Sequence, residues 1–407
     1  MSNPPRTAIV IGGGVIGSAC ALRLAHAGLC VTLIDDALTR PCASWGNAGH
    51  IATEQVEPIA SWATLRSAPR RHFARGGALD LPVNAIASWL PFGLRLARAA
   101  TRFDAGKAAL TQLMAEALPA WRRLAADLGD PDLLVETGHF ILWETPATAT
   151  AGRAHWSRAV TGTARLRDVT PDELAMLRAA TTAPVAGAMH CEGSAQIADL
   201  TRLADAIAAA LVRASVMRLT AKATLTRSAN HITVTAHGAS LDADLVVVAA
   251  GIGSAALLAG AGRRSPLIAE RGYHIEAPTA GPMLPPRVFE DRSLIVTRFA
   301  DRIRAASFVE FSRADLPPDP RKWDRLHKHV AELGLAFDGE TTPWFGSRPT
   351  LPDYLPAIGR MRGVTNLAAA FGHNHVGLTL AAITSEQLTA LIVRGEPIDR
   401  RFDPARF

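Results

Sequence analysis

Three glycines and one acidic residue near the start of the sequence have the types and the spacing that bind a dinucleotide. Gly12, Gly14 and Gly17 follow a G-x-G-x-x-G pattern, and Asp35 comes 21 residues after Gly14. In this pattern the glycines permit a tight turn, a close approach of pyrophosphate to the backbone and close packing of helix against strand. Asp35 would accept hydrogen bonds from the adenosine ribose, and Asp36 is the alternative acid.

The elements that must position these residues form a β-α-β unit over residues 7–36. Residues 7–11 are apolar and largely β-branched, which predicts a buried parallel strand. A helix follows to about Ala27, Gly28 ends it, and residues 31–34 form a second strand. The free N–H groups and the dipole at the start of that helix would hold phosphates. The alternative, a glycine-rich turn without a ligand, leaves the position of the acid unexplained.

The composition is that of a soluble globular protein. Of the 407 residues, 48% are hydrophobic and 20% are charged, and the chain is long enough for two domains. Only four of the 43 basic residues are lysines, so the net charge of +6 comes almost wholly from arginine. This balance would suit an acidic substrate or an anionic membrane surface. The basic residues are scattered without an aromatic-basic groove, so we expect no nucleic-acid partner.

The cysteines and the first residues indicate a reducing compartment. Cys20, Cys30, Cys42 and Cys191 have no C-x-x-C spacing and no histidine cluster beside them, so no metal site is predicted. The first residues lack the pattern of a secretion signal. We therefore expect a cytoplasmic protein. Peripheral attachment to the inner face of the membrane, through the basic helical stretch 89–102, is an alternative.

An uncharged stretch over residues 245–262 has the length of a short membrane span. It covers 18 positions. However, Gly251 and Gly253 separate its β-branched first part from an Ala/Leu-rich second part. We therefore predict a strand, a glycine turn and a helix, and no transmembrane segment.

The order of the predicted elements indicates an α/β fold with two interleaved domains. A discontinuous Rossmann-type nucleotide-binding domain would comprise residues 1–57, 193–265 and 343–407. The second domain, residues 58–192 and 266–342, would be α+β. It would combine helices before about residue 130 with a largely antiparallel sheet.

Two loops lie where they could complete a nucleotide site. The polar loop 39–57 leaves the second strand beside the crevice where nucleotides bind. The loop 372–377 opens a helix at about Leu378, whose N-terminus could face an anionic or electron-rich group. A plain surface loop is the alternative for residues 39–57. The groups there that could contact phosphate or a ring edge are the side chain of Ser44 and the amides around Asn47, Ala48 and Gly49.

Four parts of the chain, in this order, resemble the D-amino-acid dehydrogenase and oxidase family of FAD enzymes. They are the β-α-β unit, SWGNAGH at 44–50, VVVAAG at 246–251, and the terminal pair SRPTLPDYLPAIGR and FGHNHVGLT within 347–379. RGYHIE at 271–276 is similar to a segment of bacterial D-amino-acid dehydrogenases and D-hydroxyproline dehydrogenases. The terminal pair makes FAD, and not NAD, the implied cofactor.

The resemblance implies FAD contacts at matching positions. The glycine motif would hold the pyrophosphate, Ala223 would meet the adenine, and Ala250 with Gly251 would close over the nucleotide. Residues 372–379 would approach the pyrimidine end of the flavin, where a helix N-terminus stabilises negative charge. The implied contacts are Gly12, Gly14, Val15, Ile16, Gly17, Asp35, Asp36, Ser44, Asn47, Ala48, Gly49, His50, Ala223, Ala250, Gly251, Arg348, Gly372, His373, Asn374, His375, Val376, Gly377, Leu378 and Thr379.

For the substrate, the resemblance implies a small amino acid whose carboxylate is held by an arginine. Arg348 matches that position, and its forked guanidinium suits a carboxylate; a structural salt bridge is the alternative. Tyr273 would supply a hydroxyl or cover the substrate, whereas Tyr354 is expected to pack. His139, on a predicted strand, is expected to be a core or edge histidine. The loop side chains expected beside the flavin are His50, Glu54, His373 and His375, and His50 and His375 complete the expected catalytic group.

The implied reaction is oxidation of a D-amino or imino acid, of the D-proline, hydroxy-D-proline or D-alanine type, by hydride transfer from the α-carbon to FAD. No strong general base is expected if the amine reaches the site neutral. Electrons would pass to a quinone or an electron-transfer protein. Three alternatives stay open: an oxidase for glycine, sarcosine or D-amino acids that forms peroxide, the catalytic subunit of an opine-type dehydrogenase complex, and a non-catalytic nucleotide-binding module. A homo-oligomer is a further expectation.

Overall fold

The computed structural model describes residues 5–36 and 42–407, so residues 39–41 of the predicted polar loop lie outside the described residues. The strands are β1 (Thr7–Ile11), β2 (Cys30–Asp35), β3 (His50–Ile51), β4 (Leu79–Asp80), β5 (Leu134–Val135), β6 (His139–Trp143), β7 (Arg165–Asp168), β8 (Gly187–Glu192), β9 (Ala195–Ile197), β10 (Met217–Thr220), β11 (Thr224–Ser228), β12 (His231–Ala236), β13 (Ala239–Leu241), β14 (Leu245–Val248), β15 (Ile268–Pro278), β16 (Arg287–Phe289), β17 (Leu294–Arg298), β18 (Arg302–Ser312), β19 (Thr342–Thr350), β20 (Ala357–Arg360) and β21 (Leu367–Phe371). The helices are α1 (Val15–His26), α2 (Trp62–Ser67), α3 (Ile86–Ala99), α4 (Phe103–Ala115), α5 (Ala117–Leu128), α6 (Pro146–Trp156), α7 (Pro171–Ala179), α8 (Leu200–Arg213), α9 (Ser254–Gly260), α10 (Pro320–Leu333) and α11 (Gly377–Arg394).

The first large sheet is mainly parallel. Over the described residues its order is β10–β2–β1–β14–β21–β20. Neighbouring strands from β10 to β21 run parallel, and β20 runs antiparallel to β21. These strands come from three separate stretches of the chain, near its start, its middle and its end. This arrangement confirms the predicted discontinuous Rossmann-type fold.

The central strand β1 is buried because its side chains alternate between two hydrophobic cores. Ala8 and Val10 pack in the core that contains α1, α5 and α11. Ile9 and Ile11 pack on the other side with the small antiparallel sheet β11–β12–β13. This two-sided packing fixes the end of β1, where the glycine motif begins.

The second large sheet is mainly antiparallel. Its order in the described part of the chain is β19–β15–β18–β17–β16–β6–β8–β7, and β4 pairs with β18. The pairs β16–β6 and β18–β4 are parallel, whereas the other neighbours are antiparallel. Helices α7 and α10 pack on it through apolar residues such as Leu177 and Leu326. The predicted α+β character of the second domain is therefore confirmed.

Strand β19 extends the second sheet up to Thr350. The predicted division instead places the chain from residue 343 onward with the nucleotide-binding sheet. The strand contains Pro343, Gly346 and Pro349, which weaken a strand pattern in the sequence. Prolines are accommodated here because β19 is an edge strand, where a missing N–H donor is tolerated.

The apolar stretch 245–262 forms β14 and α9 around a glycine turn, as predicted. One helical segment among the described residues, Asn374–Arg394, has the length and apolar composition to cross a membrane. Its most apolar stretch is 72% buried inside the molecule. The Trp121 indole donates hydrogen bonds to the carbonyls of Leu378 and Thr379 in this segment, which packs as a core helix.

Candidate active site

A cavity of about 1580 Å³, lined by residues of both large sheets, contains most of the predicted site residues. Those on its wall are Gly12, Gly14, Val15, Ile16, Asp35, Asp36, Ser44, Asn47, Ala48, His50, Ala223, Ala250, Gly251, Tyr273, Arg348, His373, Asn374, His375, Gly377 and Leu378. Five other predicted residues are described by the structure but do not form part of this wall: Gly17, Gly49, Gly372, Val376 and Thr379.

The turn between β1 and α1 has no room for side chains. Gly12 has a φ of 116°, and a Cβ at this position would lie 2.4 Å from the Ala249 carbonyl oxygen. A Cβ on Gly17 would lie 1.8 Å from the Gly12 carbonyl oxygen, so Gly17 allows helix and strand to pack closely from behind the wall. Helix α1 begins after Gly14 without an acid in its first turn. The positive end of its dipole therefore lies at the cavity, which favours a phosphate.

Asp35 lies directly against this glycine turn. A Cβ on Gly13 would lie 2.3 Å from Oδ2 of Asp35. The Ala221 amide donates to the Asp35 carbonyl at 2.9 Å, which brings the segment leading to Ala223 beside β2. The structure thus places the acid, the turn and the small residue predicted for the adenine on one continuous wall.

The segment after the second strand is held between helix α1 and the second large sheet. Ser44 Oγ accepts a hydrogen bond from the Val15 amide at 3.1 Å, so the serine sits at the start of α1. On the other side, Thr297 Oγ1 donates to the Ala48 carbonyl at 2.7 Å. Gly49 is buried behind the wall, where its carbonyl accepts from the Ile197 amide at 2.8 Å.

The loop between β21 and α11 is buried and internally bonded. His373 Nε2 lies 3.0 Å from Thr384 Oγ1, and burial lowers the pKa of His373 to about 3. Asn374 Nδ2 donates to the Tyr354 carbonyl at 3.0 Å. Helix α11 then begins at Gly377 without a side-chain cap or an acid in its first turn. A second helix N-terminus without an acid in its first turn therefore lies at the cavity wall.

His375 stands in the same loop with an unused nitrogen. Its Nδ1 is buried and has no hydrogen-bond partner among the described residues. Burial lowers the pKa of His375, so the ring is neutral. An unpaired ring nitrogen on the cavity wall is free to bond a ligand.

Arg348 lies on the wall opposite a buried carboxylate. Its Nη1 donates to the Phe308 carbonyl at 3.1 Å and lies 3.5 Å from Oε1 of Glu270. The arginine side chain is 26% exposed, whereas Glu270 has no exposure. A Cβ on Gly272 would lie 2.2 Å from Nη2 of Arg348, so the glycine makes room for the guanidinium. One nitrogen of Arg348 therefore has structural partners, as in the alternative of a structural salt bridge, while the side chain remains on the cavity wall. Binding of a substrate carboxylate stays a prediction.

The Phe308 carbonyl, which accepts a hydrogen bond from Arg348, belongs to an irregular part of the backbone. The pairing of β15 with β18 shifts register between Arg271 and Tyr273, as in a β-bulge. On β18, Phe308 has a φ of 72°, which is a strained conformation for a bulky residue. Phe308 also lines the cavity. Strain of this kind is retained where the surrounding structure holds a functional geometry.

The Tyr273 hydroxyl is engaged by buried groups of the protein itself. It donates to Glu310 at 2.7 Å, and it accepts from Arg271 at 2.7 Å and from the Asp319 amide at 3.2 Å. These groups belong to a buried ionic cluster around Lys322, whose Nζ lies 2.8 Å from Glu310. The tyrosine ring forms part of the wall, but the predicted contact between its hydroxyl and the substrate is corrected, because that hydroxyl is already occupied.

His50 is brought against His139, a residue from a distant strand. His50 Nε2 lies 3.1 Å from His139 Nδ1, and the same His139 nitrogen lies 2.8 Å from Ser194 Oγ. Burial lowers the pKa of His50 to about 4 and that of His139 well below its ordinary value. Both rings are therefore neutral at physiological pH, and both line the cavity.

Glu54 completes this histidine cluster. The ligand atoms of His50, Glu54 and His139 all lie within 4.8 Å of one another. Glu54 is 5% exposed, and its Oε2 has no hydrogen-bond partner among the described residues. Burial raises the pKa of Glu54 to about 7. The position of Glu54 in the polar loop could be recognised in the sequence, but its contact with His139 on β6 could not be predicted from it.

The sequence contains no comparable signal for several residues of the site. Glu270 lies within a buried strand, and its carboxylate is buried behind Arg348. The conformation of Phe308 depends on the bulge between two strands. His139 was expected to be a core or edge histidine. It is buried as expected, and it also reaches the cavity wall beside His50.

Comparison with known proteins agrees with this geometry. The family model described as "DAO: FAD dependent oxidoreductase" matches residues 7–391. A D-amino-acid oxidase from Bradyrhizobium diazoefficiens is 30% identical, and the alignment covers 99% of each chain. D-amino acid dehydrogenase 3 from Mesorhizobium japonicum is 26% identical over 97% of this chain and 98% of the relative.

Solved structures share the fold. Glycine oxidase from Geobacillus kaustophilus superposes with a TM-score of 0.74 at 20% identity, with both chains fully covered. Iminodiacetate oxidase from Chelativorans sp. BNC1 gives a TM-score of 0.72 at 21% identity over 98% of each chain.

The described cavity fits the cofactor of this family. The β1–α1 turn leaves no room for side chains, and two helix starts without an acid in their first turn reach one cavity. A pyrophosphate and an electron-rich ring are the groups that such helix ends favour. From the match over residues 7–391 and this agreement of the site, the chain belongs to the DAO family of FAD-dependent oxidoreductases.

Proposed function

We propose that this protein oxidises a small D-amino or imino acid, of the D-proline, hydroxy-D-proline or D-alanine type, with FAD. Two relatives aligned over almost the whole chain are named as a D-amino-acid oxidase and a D-amino acid dehydrogenase, which supports an amino-acid substrate. The observation that carries the proposal is the placement of Arg348. Its guanidinium lies on the wall of the same cavity as the glycine turn and the helix starts that are expected to bind FAD.

The chain's own residues would hold FAD at several points. Gly12, Gly14 and the start of α1 would hold the pyrophosphate, and Asp35 would hold the ribose. The start of α11 would stabilise negative charge on the flavin ring. When bound, FAD supplies the two-electron oxidation of the carbon next to the amine.

Arg348 would bind and orient the substrate carboxylate. Its Nη1 is fixed by Phe308 and Glu270, which leaves Nε and Nη2 to meet a carboxylate. A fixed guanidinium loses little freedom on binding, so it positions the α-carbon efficiently.

The apolar part of the wall bears on the identity of the substrate side chain. Ile141, Val288, Leu294 and Ile295 contribute apolar residues of the second sheet to the cavity. Apolar walls accept small aliphatic or cyclic groups and disfavour an unpaired charge. This supports alanine-like or proline-like substrates over acidic or basic ones.

The reaction is tested by mixing the flavin-loaded protein anaerobically with D-proline, hydroxy-D-proline, D-alanine and their L forms. We expect only the D forms to bleach the flavin absorbance. Bleaching by glycine or sarcosine, with peroxide formed in air, would replace the proposal by an oxidase. Reduction by none of these compounds would overturn the proposed substrate class and favour a binding module or one subunit of an opine-type complex.

The acceptor is proposed to be a membrane quinone, and one face of the protein supports this. Helix α3 buries Phe92 and Leu96 in a core. On its other side Ile86, Leu90 and Leu94 are exposed at four-residue intervals, and these three side chains are here called the α3 surface.

The charges around the α3 surface are complementary to an anionic membrane. Residues 58–102 contain seven exposed arginines, and the one acid in this stretch, Asp80, is buried. An apolar helix face flanked by arginines binds at the interface of anionic bilayers. We therefore assign the α3 surface to peripheral attachment at the inner face of the membrane.

Vesicle flotation tests this assignment. Leu94→Ser should reduce binding to vesicles that contain phosphatidylglycerol, whereas Val212→Ser should not; the two side chains are 68% and 69% exposed. Wild-type protein should not bind neutral vesicles. If wild type does not bind anionic vesicles, or forms a dimer that Leu94→Ser dissociates, the surface is not a membrane site.

A further inference from the structure

We propose that Glu54 accepts the proton that the substrate ammonium group must lose before oxidation, an inference that rests on the proposed function. Free amino acids carry a protonated amine at neutral pH, and that amine has no lone pair to assist oxidation of the adjacent carbon. The structure places a carboxylate on the cavity wall that has the properties required of such an acceptor.

The first property is an unsatisfied carboxylate oxygen. Glu54 is 5% exposed, lines the cavity, and has no partner for Oε2 among the described residues. Buried polar atoms are almost always hydrogen-bonded, so an unpaired one on a cavity wall indicates a missing ligand. An ammonium group supplies the donor that this oxygen lacks.

The second property is the absence of a competing cation. Within residues 5–36 and 42–407, Glu54 forms no ion pair with lysine or arginine. The titratable groups around it are His50, His139 and the Cys191 thiol, which interacts with the Glu54 charge. Burial keeps both histidines neutral and raises the pKa of the thiol, so all three are uncharged at physiological pH. A bound ammonium group would be the charge partner of this carboxylate.

Burial also matches the acidity of Glu54 to the task. Its pKa is raised to about 7. A carboxylate in water is too weak a base to take a proton from an ammonium group. Raising the pKa of the carboxyl group makes the difference between the two pKa values smaller. In the step, one N–H bond of the ammonium breaks and one O–H bond forms on Glu54. No electrons are transferred, and the neutral amine remains on the substrate.

The hydrogen bonds of the histidines favour this role over a metal site. Two imidazoles and a carboxylate are groups that bind Zn²⁺. However, His139 Nδ1 is already shared between His50 Nε2 and Ser194 Oγ, at 3.1 and 2.8 Å. His50 Nε2 and His139 Nδ1 therefore already have hydrogen-bond partners in each other and in Ser194. His50 and His139 are positioning residues that fill the space beside Glu54 without adding charge.

The test is the anaerobic rate of flavin reduction by the best D-amino acid, measured from pH 6 to pH 10. In wild type the rate should rise through about pH 7, as Glu54 ionises. Glu54→Gln should slow reduction at pH 7 by about 100-fold, a usual effect of losing an acid–base group. It should approach the wild-type rate at pH 10, where the substrate amine is already neutral. Glu54→Asp, which keeps the carboxylate, should retain a rising limb near neutrality.

The outcomes separate this inference from the proposed function. A wild-type flavin that no amino acid reduces overturns both. Normal reduction in Glu54→Gln at pH 7, or a loss that persists unchanged at pH 10 with bound flavin intact, overturns the role of Glu54 alone. One equivalent of zinc in the purified protein, lost in both Glu54→Gln and His139→Gln, would assign the cluster to a metal and also overturn it.

Discussion

Arg348 Nη1 lies 3.5 Å from Oε1 of Glu270, a carboxylate with no exposure to solvent. The other oxygen of Glu270 accepts hydrogen bonds from Thr350 Oγ1 at 2.9 Å and from the Tyr354 hydroxyl at 3.0 Å. The expectation that Tyr354 packs is met, and its hydroxyl also supports the carboxylate. The arginine is thus oriented before any ligand arrives.

Replacing Arg348 by lysine should weaken substrate binding and leave the flavin in place. The loss of a two-pronged, charged hydrogen bond is worth about 2–3 kcal/mol, which raises KM about 30- to 150-fold. Steady-state kinetics with a D-amino acid provide the measurement. Arg394→Lys, at an exposed arginine paired with Glu396, is the control and should behave as wild type. An unchanged KM in Arg348→Lys would assign the arginine a structural role only.

Adding one methyl group at Gly12 should abolish flavin binding. The new Cβ would lie 2.4 Å from the Ala249 carbonyl oxygen, so the turn must shift. Gly28 is the matched control, because its φ of 94° is also positive but nothing lies within 4 Å of an added Cβ. The flavin absorbance of Gly12→Ala and Gly28→Ala gives the comparison. Equal retention of flavin by both variants would contradict the role of close packing at the turn.

The buried ionic cluster below Tyr273 should be essential for stability. Lys322 has no exposure, and its Nζ lies 2.7 Å from Asp80, 2.8 Å from Glu310 and 3.1 Å from Asp319. Lys322→Met removes the ion-pair partner of Asp80, whereas Glu310 keeps Arg271 and Asp319 keeps Arg321. Breaking this buried ion pair should destabilise the protein by about 3–5 kcal/mol. The exposed Lys328 supplies the control, and Lys328→Met should change stability by less than about 1 kcal/mol. Similar urea midpoints for the two variants would show that the cluster is dispensable.

The stability of Glu54→Gln relative to wild type should increase with pH. The folded protein holds the pKa of Glu54 at about 7, above its ordinary value of 4.5. The unfolded chain therefore loses this proton first, and wild-type stability from this group falls by up to about 1.4 kcal/mol per pH unit between these values. His50, whose pKa is lowered to about 4, acts in the opposite direction below about pH 6.5.

Thermal unfolding at pH 5, 6 and 7 checks this expectation. The difference in Tm between Glu54→Gln and wild type should grow in favour of the variant as the pH rises. Glu57→Gln, at a partly exposed neighbour, is measured alongside as the control for removal of a nearby carboxylate. A constant difference across the three pH values would mean that Glu54 is not buried as a neutral acid in the folded protein.

The nucleotide-binding elements could be predicted because their signals are local. Within 30 residues the β-α-β unit contains a short apolar strand, three glycines at the expected spacing, a helix, and a second strand that ends at an acid. All of these signals indicate the same structure. The start of α11 is also marked by Gly377 after a polar loop. Predictions for these positions required no knowledge of distant contacts.

The substrate side of the cavity could not be predicted in the same way. The contact between Glu54 and His139 joins a loop to a strand that is remote in sequence, and neither residue type predicts which residue it will contact. The Tyr273 hydroxyl is occupied by Arg271 and Glu310, which only the pairing of β15 with β18 brings together. Periodicity shows which face of an element is buried, but it does not show which buried groups meet.

The order of strands in the first sheet constrains when the protein can acquire its cofactor during synthesis. Strand β1 pairs with β14, so Ile9 meets Val246, and β14 in turn pairs with β21, so Val246 meets Leu367. The helix that covers this sheet beside α1 begins only at Gly377. The ribosome must therefore translate most of the chain before its first strand has both neighbours. Such long-range pairing folds slowly, and the cofactor site is complete only after the last helix has been made.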